Sequence, residues 1–554
     1  MVLTVFHSGT VAVSDAFELP EEALPAALAV RDGVIEAVGD AALDLLGEAT
    51  ETVDLAGCHL SPSFADGHAH PLFGGLEDLG PQIRSCGSVE EIAATVRDWA
   101  KANPDSGWIV GASYDATLAP DGIFDAEWLD ATVADRPVLL RSWDYHTIWV
   151  NSAALLAAGI DRNTPDPARG RIVRRPDGSP AGTLMEAGAI DLIARVMPEF
   201  TLEQRVAALQ AATAKFAAAG VTWIQDAWVE LKDLPAYESA AVSGRLDARI
   251  NLAFKADPVD WNVQTETFMG ARERIEKLAS PMLTANTVKF FIDGIIESRT
   301  ACMLAPYADA PAETGLPNWE RDQLHDAMAA FDALGFQLHL HAIGDAAVRF
   351  ALDGLEDVQK RNGRRDRRPV IAHLQVVDPT DIGRFADLGA VANFEPLWAC
   401  EDEVMRLLTI PRLGSPRADS QYPIASLARV GVHISFGSDW PVTGHQPVPG
   451  LATAVTRQGA DYLPGGGWIP NERVDVDTAL NAYTSGVAHQ AFAERSWGAL
   501  RPGMSADLVL LSEDPRRVPD DGLAAIAVLG TWLAGRPTYA TNNPKIRLAY
   551  ANAS

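Results

Sequence analysis

The chain has 554 residues, of which 47% are hydrophobic and 21% are charged, and its formal net charge at pH 7 is −29. Such a negative charge repels nucleic-acid backbones and anionic membrane surfaces, so we expect neither as a partner. The length exceeds what one compact core needs, unless that core is a large α/β barrel with additions.

The spacing of the cysteines and the first residues of the chain indicate the cellular compartment. The four cysteines are scattered without CxxC spacing, which argues against a disulfide framework and favours a reducing compartment. The N-terminal stretch MVLTVFHSGTVAV has no basic region and no small-residue cleavage site of a signal peptide. No apolar run is long enough to span a bilayer. We therefore predict a cytoplasmic protein.

Both ends of the chain have the short apolar runs of β-strands. VLTVFHSG is followed by ALAVRDGVIEAVGD, whose RDG is typical of a hairpin turn. Near the other end, GALRPGMSADLVLLSEDP and AIAVLGTWLAGRPTYA are apolar runs broken by Gly and Pro. We predict a small β-sandwich domain built from residues 1–60 together with residues 496–554.

The middle of the chain alternates helical stretches with buried strands. TLEQRVAALQAATAKFAAAG precedes VTWIQDA, RDQLHDAMAAFDALG precedes FQLHLHAIGD, and DPTDIGRFADLG precedes AVANFEP. A helix that ends in Gly before a buried strand is typical of a βα-repeat. We predict an α/β fold, a TIM-like (β/α)8 barrel over residues 61–495, with its site at the C-terminal ends of the strands. Residues 71–200 fit the repeat poorly and are predicted to be a large insertion after the first barrel strand.

Metal-binding side chains occur where these strands end. In SPSFADGHAH, His68 and His70 are two residues apart, so on a strand both imidazoles point to the same side. A lone histidine near a strand end is more often structural, and an aspartate after Gly-Ser is usually a cap or turn. Later strand ends add further candidates in chain order: Lys289, His339, His341, His373 and Asp439.

Taken together, these residues supply enough ligands for two divalent ions. Zinc binds imidazole nitrogen and carboxylate oxygen, and a catalytic zinc site leaves one position open. Lys289 lies among apolar residues, where a charged ammonium requires a partner. If carbon dioxide carboxylates the amine, the resulting carbamate is an anion that can bridge two metals.

Nine stretches resemble the amidohydrolase superfamily, and within it the amidohydrolase-3 (YtcJ-like) group that includes N-substituted formamide deformylases. They cover most of the chain: DGHAH, WVNSAAL, VKFFIDGIIESRTACML, HAIGDAAV, HLQVV, FGSDWPV, AVTRQ, ALNAYTSGVAHQ and GALRPGMSADLVLL. The resemblance implies a barrel of the metal-dependent hydrolase type and two zinc ions per chain. It also implies a small-molecule substrate and a homodimer.

The resemblance also implies a ligand set. His341 matches the HAIGD motif, and His339 on the same face is the alternative ligand. The family usually has Glu before the histidine of the sixth strand, whereas this chain has Ala372. The implied ligands are His68, His70 and Asp439 for the first zinc, His341 and His373 for the second, and carboxylated Lys289 as the bridge.

The implied reaction is hydrolysis of a C–N bond, in an N-formyl or N-acyl amide of a hydrophobic amine, by a hydroxide that bridges the two metals. Asp439 would move the proton to the leaving nitrogen, and His146 matches a position that would hydrogen-bond the carbonyl oxygen. A surface or hinge role for His146 is equally open. The expected substrate-binding residues are Trp143, Tyr145, Arg299, Trp398 and Trp440.

Other functions remain open on the same scaffold. A mononuclear deaminase would share the HxH motif and the late aspartate, but HAIGD lacks the HxxE glutamate that such enzymes carry. Hydrolysis of an ester, lactam or carbamate is a further alternative, because fold does not fix chemistry. A non-catalytic binding protein would usually have lost ligands, and all six are present.

Overall fold

The computed structural model describes residues 2–12, 26–541 and 547–550. Residues 1, 13–25, 542–546 and 551–554 of the predicted terminal domain lie outside the described residues. We number the described strands in chain order: β1 Leu3–His7, β2 Thr10–Val11, β3 Leu28–Arg31, β4 Val34–Val38, β5 Glu51–Asp54, β6 His59–Pro62, β7 Phe64–Ala69, β8 Ile109–Tyr114, β9 Val138–Ser142, β10 Thr147–Val150, β11 Arg171–Arg174, β12 Pro180–Met185, β13 Val221–Val229, β14 Arg249–Lys255, β15 Leu283–Phe291, β16 Gln337–Ala342, β17 Val370–His373, β18 Val391–Phe394, β19 His433–Phe436, β20 Leu508–Leu511, β21 Val528–Leu533, β22 Arg536–Ala540 and β23 Arg547–Tyr550.

The described α-helices are numbered in the same way: α1 Asp40–Leu43, α2 Pro71–Glu77, α3 Val89–Ala102, α4 Ala126–Asp130, α5 Ser152–Ala157, α6 Glu186–Ala194, α7 Leu202–Ala218, α8 Leu234–Val242, α9 Trp261–Lys277, α10 Arg321–Ala333, α11 Asp345–Asn362, α12 Ile382–Leu388, α13 Ile410–Leu413, α14 Ile424–Arg429, α15 Pro447–Thr456, α16 Val476–Tyr483 and α17 Ser485–Gln490. Among the described residues, none of the helices combines the length and apolar character that crossing a bilayer requires.

Eight strands form a parallel sheet that curves into a barrel. Their order is β7, β13, β14, β15, β16, β17, β18 and β19, and each neighbouring pair is parallel. The residues after β19 close the barrel, because the N–H groups of Ser438 and Asp439 donate to the carbonyl oxygen of His68 at 3.2 and 2.7 Å. The predicted (β/α)8 barrel is confirmed.

The glycine between helix and strand that recurs in the sequence has a structural role in the barrel. Helix α7 begins with a capping box, in which the Thr201 side chain and the Gln204 side chain each bond the other's backbone N–H. It ends before Gly220, whose φ of +86° lets the chain turn directly into β13. A Cβ at this glycine would lie 2.7 Å from Val509 Cγ2. Gly220 therefore sets both the turn and the close approach of the C-terminal strands.

The predicted insertion separates β7 from β13. It forms a sheet in the order β11, β12, β10, β9 and β8, with α2 to α6 around it. Strands from the two chain ends share two further sheets, β23-β5-β1-β3-β4 and β2-β6-β20-β21-β22. Within them β20 pairs antiparallel with β6, and β23 with β5. The division of the chain into separate domains stays a prediction.

The inside of the barrel below the site is polar rather than apolar. The Asn251 amide donates to Gln225 Oε1 at 2.7 Å and to Thr287 Oγ1 at 2.8 Å, and it accepts a 2.7 Å bond from the Thr284 hydroxyl. Thr287 in turn donates to Gln337 Oε1 at 3.2 Å. This hydrogen-bonded layer, the barrel floor, supports the residues at the strand ends above it.

Candidate metal centre

The histidines of β7 meet an aspartate from the other edge of the barrel. His68 Nε2 lies 3.3 Å and His70 Nε2 lies 2.8 Å from Asp439 Oδ1. All three residues are buried. Their ligand atoms lie within 4.8 Å of one another, so the three side chains could hold one metal ion. The loop that closes the barrel thus brings together residues from opposite ends of its sequence.

A second group of side chains that could hold an ion lies beside the first. His68, His373 and Glu395 also place one ligand atom each within 4.8 Å of the others. The His373 ring centroid is 4.7 Å from that of His68 and 4.4 Å from that of His341. Four imidazoles and two carboxylates therefore converge at one end of the barrel, a donor set typical of zinc.

Lys289 lies inside this cluster. Its side chain is fully buried, and its Nζ is 3.3 Å from His68 Nε2. Burial lowers the pKa of Lys289 to about 7, although Asp439 and Glu395 act in the opposite direction. A neutral amine is the form that reacts with carbon dioxide, so the surroundings of Lys289 suit carboxylation.

The two histidines of β16 occupy different depths. His341 borders the open cavity, and its Nε2 lies 3.3 Å from the Gly294 carbonyl oxygen. His339 is fully buried beneath it, and its Nε2 lies 2.9 Å from His68 Nδ1. His341 therefore lies where a cavity ligand can reach it, whereas His339 lies deeper, against His68. The choice of His341 over His339 as a metal ligand stays a prediction.

Buried polar atoms without partners test whether the site fits a metal. Among the described residues, His70 Nδ1 and Glu395 Oε1 have no hydrogen-bond partner. Burying unpartnered polar atoms is costly, and a bound divalent cation would offset that cost by drawing ligands from this group. Burial holds the pKa of His68 and of His341 well below the usual value, so both imidazoles are neutral. The residues present fit a metal.

The aspartate is ionised beside these neutral imidazoles. Burial acts to raise the pKa of Asp439, but hydrogen bonds from His68 and His70 outweigh burial and hold it well below its usual range. Metal binding requires deprotonated ligands, so the cluster presents the protonation states that a metal needs.

The cluster opens into a cavity of about 300 Å³ between the barrel and the insertion. Aromatic residues form much of its wall: Phe73, Tyr145, Trp228 and Phe291. The Phe73 ring is 5.2 Å from that of Trp228 and stacks on that of Tyr145 at 6.4 Å. Such a wall suits a substrate with an apolar or aromatic part.

His146 reaches this cavity from the insertion, between β9 and β10. Its Nδ1 lies 2.9 Å from Glu186 Oε2, and the Thr300 hydroxyl donates to the other oxygen of Glu186. Burial acts to lower the pKa of His146, but the carboxylates of Glu186 and Asp144 outweigh burial and raise it to about 9. The ring lies 5.3 Å from that of His341. A charged imidazole therefore lies beside the candidate metal ligands.

The expected substrate-binding residues divide into two sets. Tyr145 borders the cavity, and Trp398 stacks on the His373 ring at 5.2 Å. Trp440 packs against Phe216, away from the cavity wall. The remaining two also lie elsewhere: Trp143 donates to the Ser113 carbonyl, and Arg299 lines a second cavity and pairs with Asp309 at 2.6 Å.

Two carboxylates of the site escaped the sequence analysis. Glu395 directly follows β18, and its Oε2 lies 2.9 Å from His373 Nδ1, so it supplies a carboxylate although Ala372 lacks one. Its position after an apolar strand was a usable signal. Glu186 begins α6 within the insertion, where no repeat pattern locates it. Its φ of +65° is unusual for a residue other than glycine and is a form of strain that clusters at functional sites.

An eight-stranded parallel barrel with imidazoles, a lysine and carboxylates gathered at one end defines a class of protein, the metal-dependent hydrolases. Comparison of the sequence with protein families agrees with this class. The Amidohydrolase family profile matches residues 51–539. The chain belongs to this family.

Individual relatives extend over nearly the whole chain. LONG AFTER FAR-RED 3 of Arabidopsis thaliana is 31% identical over 549 residues, which cover 96% of this chain and 91% of that protein. YtcJ of Bacillus subtilis (strain 168) is 31% identical over 529 residues, covering 93% and 96%. N-substituted formamide deformylase of Arthrobacter pascens is 25% identical over 503 residues, covering 88% and 89%.

A solved structure shares the fold. An uncharacterized metal-dependent hydrolase from Pyrococcus horikoshii OT3 superposes with a TM-score of 0.72, covering 94% of this chain and 99% of that one. The two sequences are 23% identical, so this likeness concerns the fold alone.

Proposed function

We propose that the protein is a zinc-dependent amidohydrolase that cleaves the C–N bond of an N-formyl or N-acyl amide of a hydrophobic amine. The observation that carries the proposal is the convergence of six side chains at one end of the barrel, five of which line a cavity with an aromatic wall. The similarity to an N-substituted formamide deformylase supports the choice of bond. The six side chains are those of His68, His70, Lys289, His341, His373 and Asp439.

Two zinc ions would divide these ligands. His68, His70 and Asp439 would hold one ion, His341 and His373 the other, and Lys289 would bridge them as its carbamate. Bound there, zinc supplies Lewis acidity and makes water acidic enough to ionise near neutral pH. A homodimer and a cytoplasmic location stay predictions.

The side chains around the ligands have separate tasks. Asp439 accepts the proton of the attacking water and returns it to the leaving nitrogen. His146, held charged by Glu186, donates a hydrogen bond to the substrate carbonyl oxygen, where negative charge develops. The aromatic residues of the wall bind the apolar part of the substrate and exclude water from the reacting bond.

A hydrolysis screen tests the proposed function. Zinc-loaded protein is incubated with N-formyl and N-acyl arylamines and, in parallel, with esters, lactams, carbamates and deaminase substrates. Product release from each compound is followed together with the zinc content per chain. We expect turnover of members of this panel at two zinc ions per chain. Turnover of esters, lactams or carbamates alone would contradict the proposal, and so would deamination at one zinc. A protein that takes up no zinc and hydrolyses none of these compounds would be a binding protein and not an enzyme.

A single substitution separates binding from catalysis at Asp439. Asp439→Asn keeps the shape and one coordinating oxygen but removes the base. We expect turnover to fall by roughly 10²–10⁴, while the zinc content stays close to that of the wild type because the histidines and Lys289 remain. If turnover survives with both metals bound, Asp439 is only a ligand, and the proton is moved by another group.

A further inference from the structure

Arg141 is a charged side chain on the wall of the catalytic cavity that the proposed reaction does not use. It belongs to β9 of the insertion and borders the same cavity as the candidate metal ligands. Among the described residues, no hydrogen bond or ion pair engages its guanidinium. Other arginines of the cavity are paired: Arg169 with Asp257 and Arg205 with Asp233, both at 3.4 Å. Arg141 is therefore free to bind a ligand.

The carboxylates nearest to Arg141 do not satisfy it. Glu77 already accepts hydrogen bonds from the Tyr145 hydroxyl at 2.7 Å, from Ser113 at 2.9 Å and from Arg84 at 3.3 Å. Asp191 borders the cavity too, but forms no salt bridge with Arg141 among the described residues. Burial lowers the pKa of Arg141, so the guanidinium stands partly desolvated and has hydrogen bonds to offer.

A row of aromatic rings leads from His70, one of the candidate metal ligands, to this guanidinium. The His70 ring stacks on Phe73 at 5.7 Å, and Phe73 stacks on Tyr145 at 6.4 Å. The Cζ of Arg141 lies 5.8 Å from the Tyr145 ring centroid. A substrate whose amide lies at the metals can thus extend its apolar body along these rings and end at Arg141.

We propose that Arg141 binds a carboxylate at the far end of the substrate, so that the preferred substrates are N-formyl or N-acyl amides of amines that carry a carboxylic acid. This inference rests on the proposed function and narrows it to a substrate class. The planar fork of a guanidinium matches a carboxylate with two parallel hydrogen bonds. The ligand's charge would also compensate a cation that forms no salt bridge within the described part of the chain.

Two matched substrates test the preference. 4-Formamidobenzoate and N-formyl-4-toluidine differ by a carboxylate against a methyl group at the end of one ring. Hydrogen bonds to charged groups are strong enough to change binding by roughly 10- to 100-fold. We expect the wild-type enzyme to favour the acid by that ratio of kcat/KM, and Arg141→Met to abolish the preference. Arg141→Lys keeps the positive charge but lacks the planar guanidinium, so this variant should retain only part of the preference for the acid.

The matched control is Arg169→Met, which removes a cavity arginine that already has a carboxylate partner. This variant should keep the wild-type preference for the acid. Thermal unfolding of each variant establishes that it is folded. Equal kcat/KM for the two substrates in the wild type, or an acid preference that survives in Arg141→Met, would overturn the inference.

Equilibrium binding keeps the inference separate from the proposed function. If neither compound is hydrolysed, the proposed function fails, and titration calorimetry with the same two compounds still tests Arg141. The acid should bind the wild-type protein at least about tenfold more tightly than the toluidine, and Arg141→Met should remove the difference. Equal affinities in the wild type would refute the role of Arg141 whatever the reaction.

Discussion

At the scale of single residues, the carboxylate beside His373 comes from a position that the resemblance did not imply. The resemblance placed a glutamate before His373, where this chain has Ala372. Ala372 pairs in register with Asn393 of β18, and Glu395 lies two residues beyond Asn393, directly after the strand ends. Its carboxylate reaches His373 Nδ1 at 2.9 Å. Glu395 therefore places a carboxylate beside the His373 imidazole although Ala372 has none.

Glu395→Gln should weaken metal binding. Outer carboxylates that orient a ligating histidine typically change metal affinity by 10- to 100-fold, so we expect a loss of that size in zinc affinity, measured by competition with a chelator. Adding Ala372→Glu to this variant should recover part of the affinity. Glu297→Gln is the control, since Glu297 accepts a hydrogen bond from Thr409 outside the cluster. Unchanged zinc affinity in Glu395→Gln would show that Glu395 does not act on the metal site.

The candidate metal ligands at the strand ends could be predicted from the sequence, but the residues of the insertion that surround them could not. His68, His70, His373 and Asp439 each follow or end an apolar strand, and the closed barrel brings such ends together. Glu186 and Arg141 come from the insertion, whose antiparallel sheet has no repeat that fixes which residues face the barrel. Their positions depend on the three-dimensional path of the insertion.

At the scale of secondary-structure elements, the barrel was predictable because its signals are local. A capped helix, a glycine with positive φ and a buried strand recur along the chain, as in α7, Gly220 and β13. The barrel floor was not predictable, since its hydrogen bonds join β13, β14, β15 and β16 across the barrel interior. Polar side chains at those strand positions resemble ordinary solvent-facing residues in the sequence.

Asn251→Leu should destabilise the barrel through its floor. The substitution removes the donor to the buried Gln225 Oε1 and one of the two hydrogen bonds of the buried Thr287 hydroxyl. An unsatisfied buried polar group costs about 1–3 kcal/mol. We expect the free energy of unfolding in urea to fall by at least about 2 kcal/mol. Asn286→Leu on the exposed face of β15 should change it far less. Equal effects of the two substitutions would contradict the role given to the floor.

At the scale of the whole molecule, the C-terminal strands are fastened to the bottom of the barrel. Asp507, which is buried, forms an ion pair with Arg249 at the start of β14. The same carboxylate accepts bonds from Ser505 and from the Ala534 N–H, both at 2.8 Å. The Thr531 hydroxyl adds a 2.7 Å bond to the Ala217 carbonyl oxygen. The sheets of the two chain ends thus form part of the support of the barrel.

Asp507→Ala should loosen this connection. Removing one partner of a buried ion pair leaves an uncompensated charge and costs about 3 kcal/mol or more. We expect a lower unfolding temperature by calorimetry and faster proteolysis of the chain after residue 500. Glu513→Ala, at an exposed position of the same region, serves as the control. An unchanged unfolding temperature in Asp507→Ala would show that the terminal sheets and the barrel are stabilised independently.

The hydrogen bonds that close the barrel between β7 and the residues after β19 also determine when the candidate site can form during synthesis. Asp66 accepts a hydrogen bond from the Ser438 N–H, and 372 residues separate the two. At about 5–20 residues per second, a ribosome needs roughly 20–75 s to reach the second after the first. Throughout that interval the nascent chain carries His68 and His70 without Asp439. A cell that makes this protein must therefore keep an unfinished barrel edge from pairing with other chains until its last strand emerges.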